Sequence, residues 1–298
     1  MCVPCTRGRT RQVPAVSAAT VNLVVAMGCE AAPLLRGLSL KSIPVNGGFR
    51  AWCDAARETF LLQAGIGRVN AAAGVVTLQE LSGHPACSAW LNVGIAGHAE
   101  EEVGRVLVAE SVHEEAGGRV RYPALPAGLA LGTSPLLTVD RPSSEYRPGF
   151  LHDMEGSAFM ATALRYSSAE LVHCLKVVSD NRAQPLSTAG LSKASVEALL
   201  ELAVEDVVSM VAALRNPAEE RASRLAPPAE WQKLSEDYAC SVTQAALLRR
   251  LLQRWNALFP GRELPEVKHP ASARGTAAGE LLRQLEAGLD EMWQREGQ

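Results

Sequence analysis

Asp153-Met154-Glu155-Gly156 and, further on, Val177-Val178-Ser179-Asp180 are the two stretches that decide the fold. Between them, Ser157 to Tyr166 carries apolar residues at helical spacing. Leu171-Val172-His173-Cys174-Leu175-Lys176-Val177-Val178 then reads as a mostly buried strand. A Met-Glu pair therefore opens a helix, and a Ser-Asp pair closes the strand that follows it. In α/β proteins the ends of strands are where ligands and chemistry collect. These two dipeptides are the first candidates for a site.

On the N-terminal side the same alternation repeats. Val21 to Met27 predicts a first strand, Gly28-Cys29-Glu30 a turn, and Ala31 to Leu38 a short helix that tolerates Pro33 in its first turn. Thr59 to Gln63 predicts a strand ending in Ala64-Gly65-Ile66-Gly67-Arg68, followed by an Ala-rich helix from Val69 to Leu81. Ala89 to Val93 predicts a third strand ending in Gly94-Ile95-Ala96-Gly97. Gly104 to Ala109 and Pro135 to Val139 are further strands, and Leu191 to Leu214 has the length of one long closing helix. Strands alternating with helices, with glycine at the strand ends, predict an α/β sandwich.

A chain of 298 residues, 47% hydrophobic and 20% charged, is long enough for one domain with a full core and an appendage. A net charge of −3 argues against a general nucleic-acid binder. No apolar run reaches the roughly 18 residues of a membrane helix. Cys2, Cys5, Cys29, Cys53, Cys87, Cys174 and Cys240 are odd in number and irregular in spacing, which suits buried thiols in a reducing compartment better than a disulfide framework. Residues 1–20 hold Arg7, Arg9 and Arg11 without an acid or an apolar core, so a disordered tail is expected there rather than a secretory signal; a transit peptide fits on composition alone.

The composition breaks between Asn216-Pro217 and Pro227-Pro228. Beyond it, Leu248, Leu251, Leu252, Trp255, Leu258 and Phe259 form one helical stripe, and Leu281, Leu282, Leu285, Leu289 and Met292 a second. The expected organisation is a tail over 1–20, a catalytic domain over 21–216 and a helical extension over 217–298, docked on the core or on a partner subunit.

The Met-Glu and Ser-Asp pairs, at this distance and in this order, resemble those of the purine nucleoside phosphorylase and nucleosidase superfamily, most of all its methylthioadenosine/S-adenosylhomocysteine nucleosidases. The resemblance covers residues 21–214. It implies a three-layer sandwich around a central twisted mixed sheet, a homodimer in the cytoplasm, a small nucleoside as ligand, and no metal or organic cofactor, nucleic acid or membrane. It also implies hydrolysis of the N-glycosidic bond of a purine nucleoside, most simply a 5′-substituted adenine nucleoside. Phosphorolysis, and nucleoside binding with weak catalysis, are the alternatives.

The chemistry of that reaction assigns roles. A departing purine is an unstable anion unless a ring nitrogen is protonated, and Asp180 would supply the acid, with Ser179 helping to hold the base. Glu155 would accept from two ribose hydroxyls, as an acceptor-only bidentate group can, and Met154 would pack on the sugar face. Glu30, three residues after Met27, would activate the attacking water on the opposite face of the sugar. Each has a plainer reading: Ser179-Asp180 as a loop cap, Glu155 and Glu30 as first-turn helix acids. Gly65-Ile66-Gly67 and Gly94-Ile95-Ala96-Gly97 match two loops lining the family's site, small enough for close backbone approach. Ile95 stands where many relatives carry a polar residue, and His98 where a further Gly is common. Arg141 and Pro142 fall near the positions that recognise adenine, within a stretch Val139-Asp140-Arg141-Pro142 that is closer to the hopanoid-associated nucleosidases.

Overall fold

A computed structural model of the chain describes residues 19–85, 87–142, 145–185, 191–226, 230–265 and 277–296. The Cys2–Cys5 motif, most of the expected tail and the His269-Pro270 punctuation lie outside the described residues. The chain divides into two compact units, Met1–Glu219 and Glu220–Gln298.

The first unit is built on one mixed sheet. β1 (Ala19–Val25), β4 (Thr59–Gln63), β5 (Cys87–His98) and β10 (Val172–Asp180) run parallel, in the order β4-β1-β5-β10. β1 and β10 are buried along their whole length, as expected of central parallel strands covered on both faces. On the far side of β4 the sheet continues through the antiparallel β3 (Arg50–Cys53) and β2 (Lys41–Ile43). On the other side, β10 pairs antiparallel with β6 (Val106–Glu114), β6 parallel with β8 (Gly132–Thr138), β8 parallel with β9 (Leu151–Asp153), and β9 antiparallel with β5. These last pairings return the sheet to β5, so five strands close into a ring. β7 (Val120–Arg121) pairs with β6 outside it.

α1 (Gly28–Gly37) packs with α4 (Lys193–Leu202), and α2 (Arg68–Leu81) packs with α3 (Gly156–Ala163); each pair also touches the sheet. One core cluster gathers Val24, Phe60, Leu62, Trp90, Leu136, Phe159 and Val178 between these elements. By transfer arithmetic, each such side chain contributes about 1.5–3 kcal/mol when fully buried.

Three expectations change. The span expected as one helix from Leu191 to Leu214 is two, α4 and α5 (Val204–Leu225), separated at Ala203. Helix α5 then runs straight through Pro217, where a break was expected. Pro217 is exposed, as is Ala213, whose carbonyl loses its helical partner to the proline and is left to water. The buried stripe Val207, Met210, Leu214, Ala218, Ala222 continues past it. Gly94 to Gly97 is not a turn: β5 runs on to His98, with Gly94, Ile95 and Ala96 opposite Lys176, Val177 and Val178. The glycines serve close approach instead. A Cβ on Gly94 would lie 2.8 Å from Glu30 Oε1, and one on Gly97 2.9 Å from Asp180 Oδ2.

The second unit holds α6 (Trp231–Asp237), α7 (Val242–Leu258) and α8 (Ala277–Glu296). Ser241 and Gln244 cap α7 reciprocally, each side chain accepting the other's backbone N–H. Leu248 and Leu252 of the first stripe pack with Leu281 and Leu285 of the second, while Trp255 and Phe259 pack with Leu289.

Candidate active site

The carboxyl ends of β1, β4, β5 and β10 lie at one edge of the sheet, where parallel α/β sheets bind ligands. A cavity of about 230 Å³ opens there. Its lining includes Met27 and Glu30 after β1, Ile66 after β4, Ile95, Ala96 and Gly97 on β5, Met154 and Glu155 after β9, and Ser179 and Asp180 on β10. Of the residues singled out from the sequence, two stand apart. Gly65 lines an adjoining cavity. Arg141 is exposed and lines a separate one with Glu115, Asp140 and Glu145, whereas its neighbour Pro142 does reach the main cavity. Asp140 and Arg141 are both exposed at the bend after β8, and the cavity that Arg141 lines shares Val139 and His152 with the main one.

Each carboxylate is held in a defined way. Glu30 is the third residue of α1 and is 2% exposed. Its Oε2 accepts the N–H groups of Ala26 (2.9 Å) and Met27 (2.8 Å), and its Oε1 accepts that of Ile95 (3.1 Å). It does cap its helix, as the plainer reading held. A carboxylate offers about four acceptor sites, so one on Oε1 is left for a further donor. Burial pushes the Glu30 carboxyl above its ordinary value, against the pull of the three N–H groups and of Lys176.

Glu155 sits at the start of α3, 8% exposed. Its Oε1 accepts from Gly67 N–H at 2.6 Å and its Oε2 from Met154 N–H at 3.3 Å. That leaves one acceptor site on each oxygen. Burial first, then the Asp153 charge, pushes its carboxyl up to about 7, with Lys176 opposing. Asp180, 6% exposed, accepts from Ser179 Oγ on Oδ1 and from the Tyr146 hydroxyl on Oδ2. It too keeps one site on each oxygen.

Four residues had no role assigned from the sequence. Lys176, on β10 and 1% exposed, forms an ion pair with Asp153 at 2.8 Å. Asp153 also accepts from Thr138 Oγ1 and from Gly156 N–H, both at 2.8 Å. The signal was present: Lys176 stands between apolar residues in the middle of a buried strand, and buried charges need partners. Tyr146 and His152 pack edge to face, ring centroids 5.8 Å apart. His152 Nε2 accepts the N–H of Arg147 at 2.9 Å, and burial lowers its affinity for a second proton. His98, in contrast, is tied to the turn after β5, its Nδ1 accepting from Glu100 and Glu101 N–H at 3.0 Å each. Among the described residues no cluster of three His, Cys, Asp or Glu is placed to hold a metal ion. Among them, too, no helix is long and apolar enough to cross a membrane.

No family model and no curated protein sequence matches the chain. Solved structures do. It is similar to the 5′-methylthioadenosine nucleosidase of Arabidopsis thaliana, at 20% identity and a TM-score of 0.55 over 66% of this chain and 96% of that one. It is similar to the futalosine hydrolase of Helicobacter pylori, at 15% identity and 0.52 over 65% and 98%. It is also similar to the 5′-methylthioadenosine/S-adenosylhomocysteine nucleosidase of the same organism, at 15% and 0.53 over 65% and 98%.

Proposed function

We propose that this chain is a nucleosidase that hydrolyses the N-glycosidic bond of a purine nucleoside, in keeping with a 5′-substituted adenine nucleoside as substrate; its fold is similar to those of solved methylthioadenosine nucleosidases and a futalosine hydrolase. One observation carries the proposal: three carboxylates, Glu30, Glu155 and Asp180, line one cavity from three different elements, and each retains acceptor capacity. Structural acids have no reason to converge on a cavity with sites unfilled.

The residues divide the cavity into ends. Met154 and Glu155 hold the sugar, the two open sites of Glu155 taking the two ribose hydroxyls. Val139, Pro142 and His152 surround the base beside Asp180. Glu30 faces the sugar from the β1 side, and its open site accepts a hydrogen bond from water. In the reaction the water oxygen bonds to C1′ and Glu30 takes its proton. The C1′–N bond breaks with its electron pair going to the purine, and the carboxyl proton of Asp180 passes to a purine nitrogen, leaving Asp180 as a carboxylate. Two carboxyl groups on opposite faces of the anomeric carbon suit an inverting displacement.

The pairing of α1 with α4 and of α2 with α3 supports the three-layer sandwich, and Val69 and Val76, 83% and 43% exposed one heptad apart on α2, suit a homodimer. A cytoplasmic location is part of the same proposal. Incubation with a panel of purine nucleosides, with and without phosphate, followed by chromatography of the released base, tests it. Release of adenine in phosphate-free buffer is expected; release from no nucleoside would overturn it.

A further inference from the structure

The stretch between β8 and β9 carries Tyr146, which is 7% exposed. The sheet register prepares its place. Gly97 on β5 pairs with Asp180 of β10 on one side and with His152 of β9 on the other. Residues opposite one another on neighbouring strands present their side chains to one face, so Asp180 and His152 flank the gap that Gly97 leaves. Tyr146 fills that gap. A Cβ on Gly97 would lie 2.7 Å from Tyr146 Cε1 and 2.9 Å from Asp180 Oδ2. The Tyr146 ring meets His152 edge to face, and its hydroxyl donates to Asp180 Oδ2.

The stretch is fastened beyond Tyr146 as well. Arg147 N–H donates to His152 Nε2 at 2.9 Å, and Phe150 N–H closes a turn on the Arg147 carbonyl at 3.2 Å. The Arg147 guanidinium lies over the Phe150 ring, 4.0 Å from its centroid, and that ring meets His113 of β6 edge to face at 5.0 Å. A frame of side chains therefore delivers the hydroxyl to Asp180. Ser179, the other hydroxyl on Asp180, lines the cavity and can turn to a bound base. Tyr146 is not among the described residues that line the cavity, so its hydroxyl serves the acid and not the ligand.

On the nucleosidase reading above, we infer that Tyr146 is a positioning residue for protonation of the leaving base, acting through Asp180. In that step the Asp180 O–H bond breaks, its proton bonds to a purine nitrogen, and the electron pair stays on the carboxylate. Tyr146 keeps its own proton. Negative charge thus develops on Asp180 as the base leaves. A hydroxyl already aimed at that carboxyl bonds the ion more strongly than the neutral acid, because charge-assisted hydrogen bonds are roughly twice as strong as neutral ones. It stabilises the transition state more than the ground state, which raises kcat and leaves affinity nearly unchanged. A leaving group that departs as a stable anion needs no proton and draws nothing from Tyr146.

The test uses the full chain as wild type, Tyr146→Phe, Asp180→Asn and the double variant. The substrates are adenosine, 5′-methylthioadenosine and the 4-nitrophenyl β-glycosides of the same two sugars, whose nitrophenolate leaves unprotonated. Phenylalanine keeps the ring on Gly97 and His152, so Tyr146→Phe removes the hydroxyl alone. It should lower kcat on the better adenine nucleoside by roughly 10- to 100-fold, the range of a hydrogen bond to a charged group, with KM changed by less than about threefold. Turnover of the nitrophenyl glycosides should stay near wild type. In the Asp180→Asn background the same substitution should cost nothing further, because the group it acts through is gone. Wild-type kcat in Tyr146→Phe, an equal loss on the nitrophenyl glycosides, or a loss that multiplies with that of Asp180→Asn overturns the inference while hydrolysis stands. Wild-type protein that releases adenine from neither nucleoside overturns the nucleosidase reading, and the inference with it.

Discussion

Glu155 should make substrate binding pH-dependent around neutrality. Its carboxyl is pushed up to about 7 from an ordinary 4.5 by burial and by the neighbouring Asp153 charge. Folding therefore favours the protonated form by about 3 kcal/mol at pH values above 7. The sign follows from the raised folded value. The stabilising contribution is fully present below about 4.5 and is lost as pH rises through about 7. A bound ribose reverses the preference, because two hydroxyl donors favour the ionised carboxylate. At pH 6 only about a tenth of the free protein carries the charge, so nucleoside affinity should be roughly tenfold weaker than at pH 8. Calorimetry with a non-hydrolysable C-nucleoside, in two buffers of different ionisation enthalpy, should record close to one proton released at pH 6 and almost none at pH 8. Glu155→Gln should abolish both the release and the slope. In the unliganded variant, the Tm difference from wild type should grow more favourable from pH 5 to pH 8. Flat affinity between pH 6 and 8 in the wild type, with no proton release, would refute the assignment of Glu155 to the sugar hydroxyls.

Further outcomes follow from the same geometry. Asp180→Asn should lower kcat by 10²–10⁴-fold, the usual contribution of general acid catalysis, with an unchanged far-UV spectrum; turnover near wild type would exclude the acid role. Lys176→Met should cost about 3–5 kcal/mol in denaturant unfolding by stranding the Asp153 charge. Adding Asp153→Leu should recover much of that loss, and a double variant no more stable than the single one would mean that the pair is not what Lys176 supports.

The sequence already disclosed what depends on residue type and local period. β4 spans Thr59–Gln63, the stretch expected from its apolar Phe60-Leu61-Leu62 centre, and Asp180 closes β10 as its position after the strand implied. Glu30, Met154, Glu155, Ser179 and Asp180 converge because strand ends in a parallel sheet converge. What depends on long-range approach was not legible. Gly94 and Gly97 look like turn glycines, yet their lack of a Cβ admits Glu30 and Asp180 to the face of a continuing strand. Pro217 looks like a helix end, but a buried stripe on the opposite side outweighs a local cost of about 3 kcal/mol. Tyr146 lies in a polar stretch with no periodicity, and its bond to Asp180, 34 residues on, and its packing on His152 bring it to the site.

On the proposed reading, the count of charges favours water over phosphate as nucleophile. Glu30, Asp153, Glu155 and Asp180 are four buried acids, and Lys176 is the one buried cation that lines up with them. Burial opposes charge on Lys176, but Asp153 and Glu155 more than offset it and hold its ammonium above the ordinary range. That cation is already committed to Asp153. Arg68, which follows Gly67, is committed to Glu114 at 2.9 Å and Asp140 at 2.5 Å. A phosphate beside Glu30 would add between one and two negative charges, and among the described residues that line this cavity there is no Lys or Arg to meet them. Water adds none, and the open site on Glu30 Oε1 can take its proton. Base release should therefore proceed in phosphate-free buffer with free sugar as product. Glu30→Gln should reduce it by 10²-fold or more, since the amide still accepts the backbone N–H groups but cannot accept a proton. Strict dependence on phosphate, or a Glu30→Gln variant with undiminished turnover, would place the nucleophile elsewhere in the cavity.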